Sequence, residues 1–170
     1  MNDEDLAFRA RSGDAPAREE LARRFLRPVF AVCLRILHND ADAEDAAQET
    51  FVRLIRGFHR YEEGRRFAPW LFKMATNIAY DQVRSGKRRA VHTAQSATPP
   101  AVPTGKPDMA RAIASLPGNY GLALTYKFQQ GLSNDEIGKL LDIAPASVRV
   151  VLFRALSMIR ERTGKTEFRS

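Results

Sequence analysis

Apolar residues recur at three- and four-residue steps along most of the chain, the spacing typical of amphipathic α-helices. In the first half, three such stripes predict three helices, with Asp14, Asp42 and Pro69 placed at their starts. Pro28 falls within the first stripe and is expected to bend or divide that helix. No alternating pattern predicts a strand, so we expect an all-α fold. The stripes are Ala17, Leu21, Phe25, Val29, Val32 and Ile36; Ala47, Phe51, Leu54, Ile55 and Phe58; and Leu71, Met74, Ala75, Ile78 and Ala79.

The later part of the chain also has a helical pattern. A short helix is expected after Asp108, followed by a longer one from about Pro117 to Gln130. Gly131 is a natural residue to end that second helix, because glycine readily adopts the left-handed conformation found there.

A helix-turn-helix pattern follows directly. Ser133 and Glu136 have the spacing of a capping box and start a short helix. After a turn at residues 142–145, a longer helix is predicted to bury Val148, Leu152, Leu156 and Ile159. This arrangement predicts DNA binding, the alternative being an ordinary helical hairpin with solvated arginines.

Residues 90–107 separate the two helical parts. This segment contains four prolines and several small residues without apolar periodicity, which predicts a flexible, partly extended linker. We therefore expect two small helical domains, at residues 1–89 and 108–170.

Composition narrows the class of protein. Among 170 residues there is one cysteine, so no internal disulfide can form, which fits a reducing cytoplasm. Cys33 lies in an apolar run and is expected to be buried. No stretch approaches the ~18 apolar residues of a membrane span, and the acidic start does not resemble a signal peptide. We expect a cytoplasmic protein that does not insert into membranes.

The net charge of +7 is unevenly distributed. Residues 1–60 have 10 basic and 11 acidic side chains, whereas residues 61–89 have 7 and 3, and residues 108–170 have 9 and 6. Two basic blocks after a near-neutral start indicate a polyanionic partner contacted at two places. A solvated basic surface is the alternative.

The predicted third helix carries a polar stripe opposite its apolar one. An amide can read a base edge, a tyrosine can stack on a base, and cations can follow phosphates. Basic and aromatic residues also interleave near the start of this helix, a combination suited to single-stranded nucleic acid. The alternative is that Phe67 and Trp70 belong to the core and that the polar stripe is only a solvated face. The stripe consists of Lys73, Asn77, Tyr80, Arg84 and Arg88; the preceding group consists of Tyr61, Arg65, Arg66, Phe67 and Trp70.

The final helix should place its first turns in a DNA major groove. Arginine suits this position because its planar fork pairs with guanine or clamps a phosphate. The candidate contact residues, all off the apolar face, are Ala146, Ser147, Arg149, Val150 and Arg154.

The acidic second helix offers a different kind of surface. Its first-turn acids are explained by capping and the helix dipole, and its residues lack the ordered spacing of metal ligands. Gln48 and Glu49 are less easily explained this way and would suit docking to a basic partner helix. Without a phosphate loop, nucleophile motif or metal cluster, we expect neither an enzyme nor a bound cofactor or metal.

Two blocks of sequence resemble the conserved regions of bacterial sigma factors. Asp42–Arg53 (DAEDAAQETFVR) and Phe67–Asn77 (FAPWLFKMATN), followed by Asp81 and Arg84, resemble region 2. Region 4 is resembled by Leu116-Pro117, Gly131-Leu132-Ser133, Glu136-Ile137, Val148-Arg149 and Phe153-Arg154-Ala155. The sequence resembles only these two regions, joined by a short linker. This architecture is typical of the extracytoplasmic-function, or group IV, sigma factors.

The resemblance implies a function and partners. Such factors bind core RNA polymerase and direct it to promoters, which here implies duplex and single-stranded promoter DNA as ligands. Asp45, Gln48 and Glu49 match the surface that docks on the polymerase β′ clamp helices, and region 4 also touches the β flap. The Tyr61–Ala68 loop and Asn77 match the element that captures a flipped −10 base, and the last helix matches the reader of the −35 element.

Two other functions are compatible with parts of this pattern. A sigma mimic would retain the fold only to bind an anti-sigma factor, but such mimics usually carry a receiver domain. A simple helix-turn-helix repressor would leave the first domain unexplained. We expect an active sigma factor that is itself held by an anti-sigma factor.

Overall fold

The computed structural model describes residues 1–86, 112–113 and 115–167, with side chains up to residue 162. The described residues form helices and turns without a strand, so the all-α fold is confirmed. The chain divides into two compact units, Met1–Ala97 and Thr98–Ser170. The expected linker at 90–107 and most of the short helix expected after Asp108 lie outside the described residues. No described helix has the length and apolarity that crossing a membrane requires.

The first unit contains four α-helices, and the second of them packs against the other three. Their bounds are α1 Asp3–Arg11, α2 Ala15–Leu37, α3 Asp40–Gly57 and α4 Phe67–Arg84, with a 3₁₀ turn at Phe58–Arg60. Helix α2 runs through Pro28 as one element, so the expectation that this proline could divide it is wrong.

The ends of the helices differ slightly from those predicted. Asp14 caps α2 as expected, accepting a hydrogen bond from the backbone N–H of Ala17 at 3.1 Å. Helix α3 is capped by Asn39, whose side chain accepts from the backbone N–H of Asp42, so Asp42 lies inside the helix rather than at its cap. Helix α4 begins at Phe67, two residues before the predicted start.

The core of the first unit contains the predicted stripe of α2, which is buried throughout. Aromatic rings join α2 to α4: Phe25 and Phe67 meet edge-on with ring centroids 5.3 Å apart. Ile55 is a correction, because its side chain is 55% exposed while its neighbour Leu54 is buried. Successive residues on a helix point about 100° apart, so both cannot face a narrow core.

The second unit has three described α-helices. These are α5 Gly118–Leu124, α6 Asn134–Leu141 and α7 Pro145–Glu167. The predicted helix at 117–130 changes character partway, because Thr125–Gln129 forms a π-helical turn, in which Gln130 N–H donates to Thr125 C=O at 3.2 Å. Gly131 then adopts a φ of +64°, the left-handed conformation expected for it.

The turn between α6 and α7 is tightly built. The Ser133–Glu136 capping box is confirmed, with both of its hydrogen bonds formed. At the other end of α6, Asp142 adopts a φ of +56°. The buried stripe of α7 differs from the prediction at one position: Leu156 is 39% exposed, and the small Ala155 is buried in its place.

Candidate nucleic-acid and polymerase interfaces

The polar stripe predicted on α4 is largely exposed to solvent. Lys73, Asn77 and Arg84 are exposed opposite the buried residues of the helix, and Tyr80 is half-buried at its edge. Burial raises the pKa of Tyr80, so its hydroxyl also remains a protonated hydrogen-bond donor in alkaline solution near its ordinary pKa. Arg84 forms an ion pair with Asp81, with Nη2 and Oδ1 2.7 Å apart. The structure brings these four predicted residues onto one face, while Arg88 lies outside the described residues.

Two of the aromatic residues predicted to contact the −10 strand, Tyr61 and Phe67, are not accessible to it. Tyr61 is 2% exposed and Phe67 is fully buried, and both pack in the aromatic core. The Tyr61 hydroxyl donates a hydrogen bond to the Arg65 carbonyl, and burial raises the pKa of this tyrosine to about 12. A buried ring cannot stack on a base without unfolding its surroundings. The prediction of direct DNA contact is therefore wrong for both residues.

The basic residues of the same loop are exposed. Arg65 lies 3.8 Å from Glu62, a distance that leaves both charges largely hydrated, and Arg66 immediately precedes α4. Gly64 turns the loop with a φ of +82°, a conformation that glycine adopts without strain. The loop therefore exposes two arginines and two glutamates to water above the buried ring of Tyr61.

The exposed face of α3 combines charge with apolar surface. Asp45 and Gln48 are exposed, and Glu49 is partly exposed while accepting a hydrogen bond from Arg53 Nε at 2.7 Å. Sequence reasoning missed the next turn of this face, where the exposed Val52 and Ile55 lie. Their signal was helical spacing: Val52 lies four residues after Gln48, and Ile55 lies three residues after Val52. The face suits a helix with both basic and apolar side chains.

All five predicted contact residues of α7 are exposed. Ala146 and Arg149 line a shallow depression of about 350 Å³ together with Asn134, Asp135 and Pro145, where the N-termini of α6 and α7 meet. Phe153, which sequence reasoning did not single out, is 71% exposed farther along the helix. The remaining predicted residues on this surface are Ser147, Val150 and Arg154.

The close approach of the two helices depends on Gly138. A Cβ atom at this position would lie 2.6 Å from the carbonyl oxygen of Ile143. The Gly138 carbonyl in turn accepts hydrogen bonds from the backbone N–H groups of Asp142 and Ile143. Sequence reasoning missed this glycine, although a glycine inside a helical pattern can signal close backbone contact. The missing side chain at this position lets the backbone of Ile143 lie directly against α6.

Within the described residues, no group of three His, Cys, Asp or Glu side chains is arranged to hold a metal ion. Cys33 is buried, and burial raises its pKa to about 12. Its sulfur is therefore a buried, protonated thiol at neutral pH.

A helical unit with a polar face followed by a helix-turn-helix unit with exposed arginines is an arrangement typical of DNA-binding proteins. Family models agree: Sigma-70 region 2 matches residues 21–89 and Sigma-70, region 4 matches residues 108–159. The chain is 32% identical over 167 residues to the RNA polymerase sigma factor CarQ of Myxococcus xanthus, covering 94% of this chain and 96% of that protein. The chain belongs to the extracytoplasmic-function family of RNA polymerase sigma factors. It is an alternative sigma factor that directs transcription initiation.

Further similarities extend along most of the chain. It is 25% identical over 171 residues to the ECF RNA polymerase sigma factor SigW of Bacillus subtilis, covering 89% of this chain and 91% of that protein. The fold is similar to that of the sigma factor RpoE from Bartonella quintana, solved with the anti-sigma factor NepR, with a TM-score of 0.64 and 20% identity over 84% of this chain and 94% of that one. It is also similar to CnrH, solved with the cytosolic domain of CnrY, with a TM-score of 0.63 and 20% identity over 96% of this chain and 97% of that one.

Proposed function

We propose that this sigma factor divides its work between residues 1–89, which bind core RNA polymerase and the −10 element, and residues 108–170, which bind the −35 element, with 90–107 as a flexible linker. The observation that carries this division is the pair of exposed polar faces, one on α4 and one on α7, each opposite a buried apolar stripe. It acts in the cytoplasm as a binding protein without catalytic chemistry.

Core polymerase would dock on the face of α3. Asp45, Gln48 and Glu49 supply carboxylates and an amide for a basic helix, the chemistry that the β′ clamp helices would offer. The neighbouring Val52 and Ile55 supply apolar area that loses water on binding. Region 4 would in addition reach the β flap.

The −10 strand would lie along α4. The Asn77 amide has a donor and an acceptor, and within the described part of the chain it makes no hydrogen bond, so both groups are available to a flipped base. Lys73 and Arg84, with Arg65 and Arg66 of the loop, would follow the phosphates, and Tyr80 would border the strand. Arg88 would extend this track.

The −35 element would be read by the first turns of α7. Arg149 and Arg154 carry the charge, while Ala146, Ser147 and Val150 are small enough to let the helix approach the base edges closely. Duplex DNA would thus meet the second unit and single-stranded DNA the first.

An anti-sigma factor is the proposed regulator. The sigma factor RpoE, whose fold is similar, was solved bound to the anti-sigma factor NepR, and CnrH, also similar in fold, was solved with the cytosolic domain of CnrY. This chain leaves apolar side chains exposed on α3 and α7, including Ile55 and Phe153, on the faces that polymerase and DNA need. A protein covering them would silence the factor. We expect a one-to-one complex that excludes core polymerase, tested by co-purification from the native cell and competition; a ternary complex would contradict it.

Binding assays test the proposed docking face and −10 site separately. The double variant Gln48→Ala, Glu49→Ala should lose affinity for core polymerase with unchanged helical circular dichroism. Glu19→Ala, which removes an exposed carboxylate of α2, serves as the control. Asn77→Ala should keep the affinity for core polymerase. The free energy of open-complex formation should become less favourable by the ~1–3 kcal/mol of a lost base contact, which is measured as lower permanganate reactivity of the −10 thymines. Normal melting with Asn77→Ala would show that this residue is only structural.

The two other candidate functions predict different results. A sigma mimic would bind the inhibitor but would not open a promoter with core polymerase. A helix-turn-helix repressor would bind duplex DNA in the absence of polymerase and would be indifferent to substitutions at Gln48 and Glu49.

A further inference from the structure

Helix α1 lies before the part of the chain that the Sigma-70 region 2 model matches. It buries Leu6, Ala7 and Ala10, and it packs against α2, the 3₁₀ turn and the start of α4. These contacts place it beside the loop at residues 61–66 that precedes α4. The polar residues of α1 make specific bonds to both ends of this loop.

At the C-terminal end of the loop, Glu4 takes the place of a helix cap. Arg66, the residue before α4, provides no side-chain acceptor for the first backbone N–H groups of the helix. Glu4 Oε1 instead accepts a hydrogen bond from Phe67 N–H at 3.2 Å. A carboxylate at a helix N-terminus satisfies a free amide and is favoured by the helix dipole.

At the N-terminal end of the loop, Arg11 of α1 binds the backbone. Its Nη1 donates a hydrogen bond to the backbone carbonyl of Tyr61 at 2.9 Å. The Tyr61 hydroxyl then donates to the carbonyl of Arg65, which closes the loop on itself. Arg18 fixes α1 in turn, because its Nε donates to the Ala10 carbonyl at 3.0 Å.

We propose that Glu4 and Arg11 are positioning residues for −10 recognition, fixing both ends of the 61–66 loop so that Arg65 and Arg66 face the strand before DNA arrives. This role rests on the proposed function of the loop and α4. Ordering a flexible loop during binding would cost conformational entropy, and a loop that α1 already orders avoids that cost.

The test compares Glu4→Ala, Arg11→Ala and their double variant with the wild-type chain. All are assembled with core polymerase on a promoter obtained by run-off selection from genomic DNA, and −10 thymine reactivity to permanganate is measured. Asp5→Ala is the matched control for Glu4, because Asp5 is an exposed acid in the same turn of α1. Arg27→Ala, which removes an exposed arginine of α2, is the control for Arg11.

We expect each single variant to reduce open complexes by about 3- to 10-fold, the range for one lost hydrogen bond, with unchanged core affinity. Discrimination between −10 variants should also weaken, since a loose loop holds the strand less specifically. Glu4→Gln keeps an oxygen acceptor for Phe67 N–H and should restore both readouts. Amide hydrogen exchange at Phe67 should accelerate in Glu4→Ala but not in Asp5→Ala.

Three results would overturn the role of α1. The first is a double variant that opens the promoter and discriminates between −10 variants as well as the wild-type chain does. The second is a parallel loss of core affinity and promoter opening, which marks a purely structural contact. The third is a Glu4→Gln variant that does not restore promoter opening and discrimination. A wild-type chain that opens no promoter would contradict the proposed function itself and this role with it. Normal wild-type opening beside unaffected variants would contradict the role of α1 alone.

Discussion

Replacing Gly138 with alanine tests how the helix-turn-helix is held together. The added Cβ would lie 2.6 Å from the Ile143 carbonyl oxygen, and ordinary contact begins near 3.4 Å, so the turn would have to retreat by the difference, about 0.8 Å. The obstacle is backbone rather than a flexible side chain. The same turn is fixed by the hydrogen bonds that Asp142 and Ile143 donate to the Gly138 carbonyl.

Two opposing effects determine how much Gly138→Ala changes the unfolding free energy of the second unit. Alanine in a helix interior is favoured over glycine by about 1 kcal/mol. Overpacking of a fixed backbone contact costs about 1–3 kcal/mol, and the contact here is short enough to place Gly138→Ala toward the upper end. We therefore expect the second unit to lose about 1–2 kcal/mol of unfolding free energy. Binding to −35 duplex DNA should weaken as well, because the retreat of the turn tilts α7.

Denaturant unfolding of the full chain resolves this effect. The single tryptophan, Trp70, lies in α4, so its fluorescence follows the first unit only, while far-UV circular dichroism follows both. Gly138→Ala should shift a circular dichroism transition without moving the fluorescence transition. Gly57→Ala is the control: it has a negative φ and no atom within 4 Å of the added Cβ, so the first unit should gain about 0.4–1 kcal/mol. A second unit of unchanged or higher stability in Gly138→Ala would refute the reasoning.

Three further results are expected. Burial raises the pKa of Cys33 from 9.0 to about 12, so between pH 9.0 and about 12 the thiol loses its proton in the unfolded chain but keeps it in the folded chain. The free energy of unfolding should therefore fall as the pH rises through this range. Cys33→Ala should flatten this dependence of the unfolding free energy on pH, measured by urea unfolding. Ser133→Ala removes one bond of the capping box and should cost the second unit about 1 kcal/mol, with Ser133→Asp nearly neutral. Arg149→Ala should weaken −35 duplex binding by ~1–3 kcal/mol in fluorescence anisotropy, whereas Arg160→Ala, about 16 Å farther along α7, should change it little. An equal loss on all −35 variants would mark Arg149 as a phosphate contact.

Local sequence signals predicted the parts of the fold that local physics controls. The apolar stripe of α2 and the capping box at Ser133 depend on residues three or four positions apart, so they are visible in the sequence. The bond between Glu4 and Phe67 N–H joins residues 63 positions apart, and no periodicity indicates it. The π-helical turn at Thr125–Gln129 was likewise missed, because its five residues have an ordinary helical pattern.

The candidate site shows the same division. Asn77 and Arg149 were identified correctly as exposed, since each lies opposite a clear apolar stripe. Tyr61 and Phe67 were misassigned because a tyrosine or phenylalanine beside a charged loop can serve equally as core or as a stacking surface. Only the packing of Phe25 and its neighbours decides between these roles, and that packing is tertiary.

Run-off transcription with core polymerase on a library of genomic fragments tests the central claim most directly. The account predicts transcripts with defined 5′ ends only when the full chain is added, and a shared pair of upstream elements among the fragments that yield them. Asn77→Ala should relax the −10 element and Arg149→Ala the −35 element. Transcripts whose start sites are the same with and without the chain, or that share no upstream element, would contradict it.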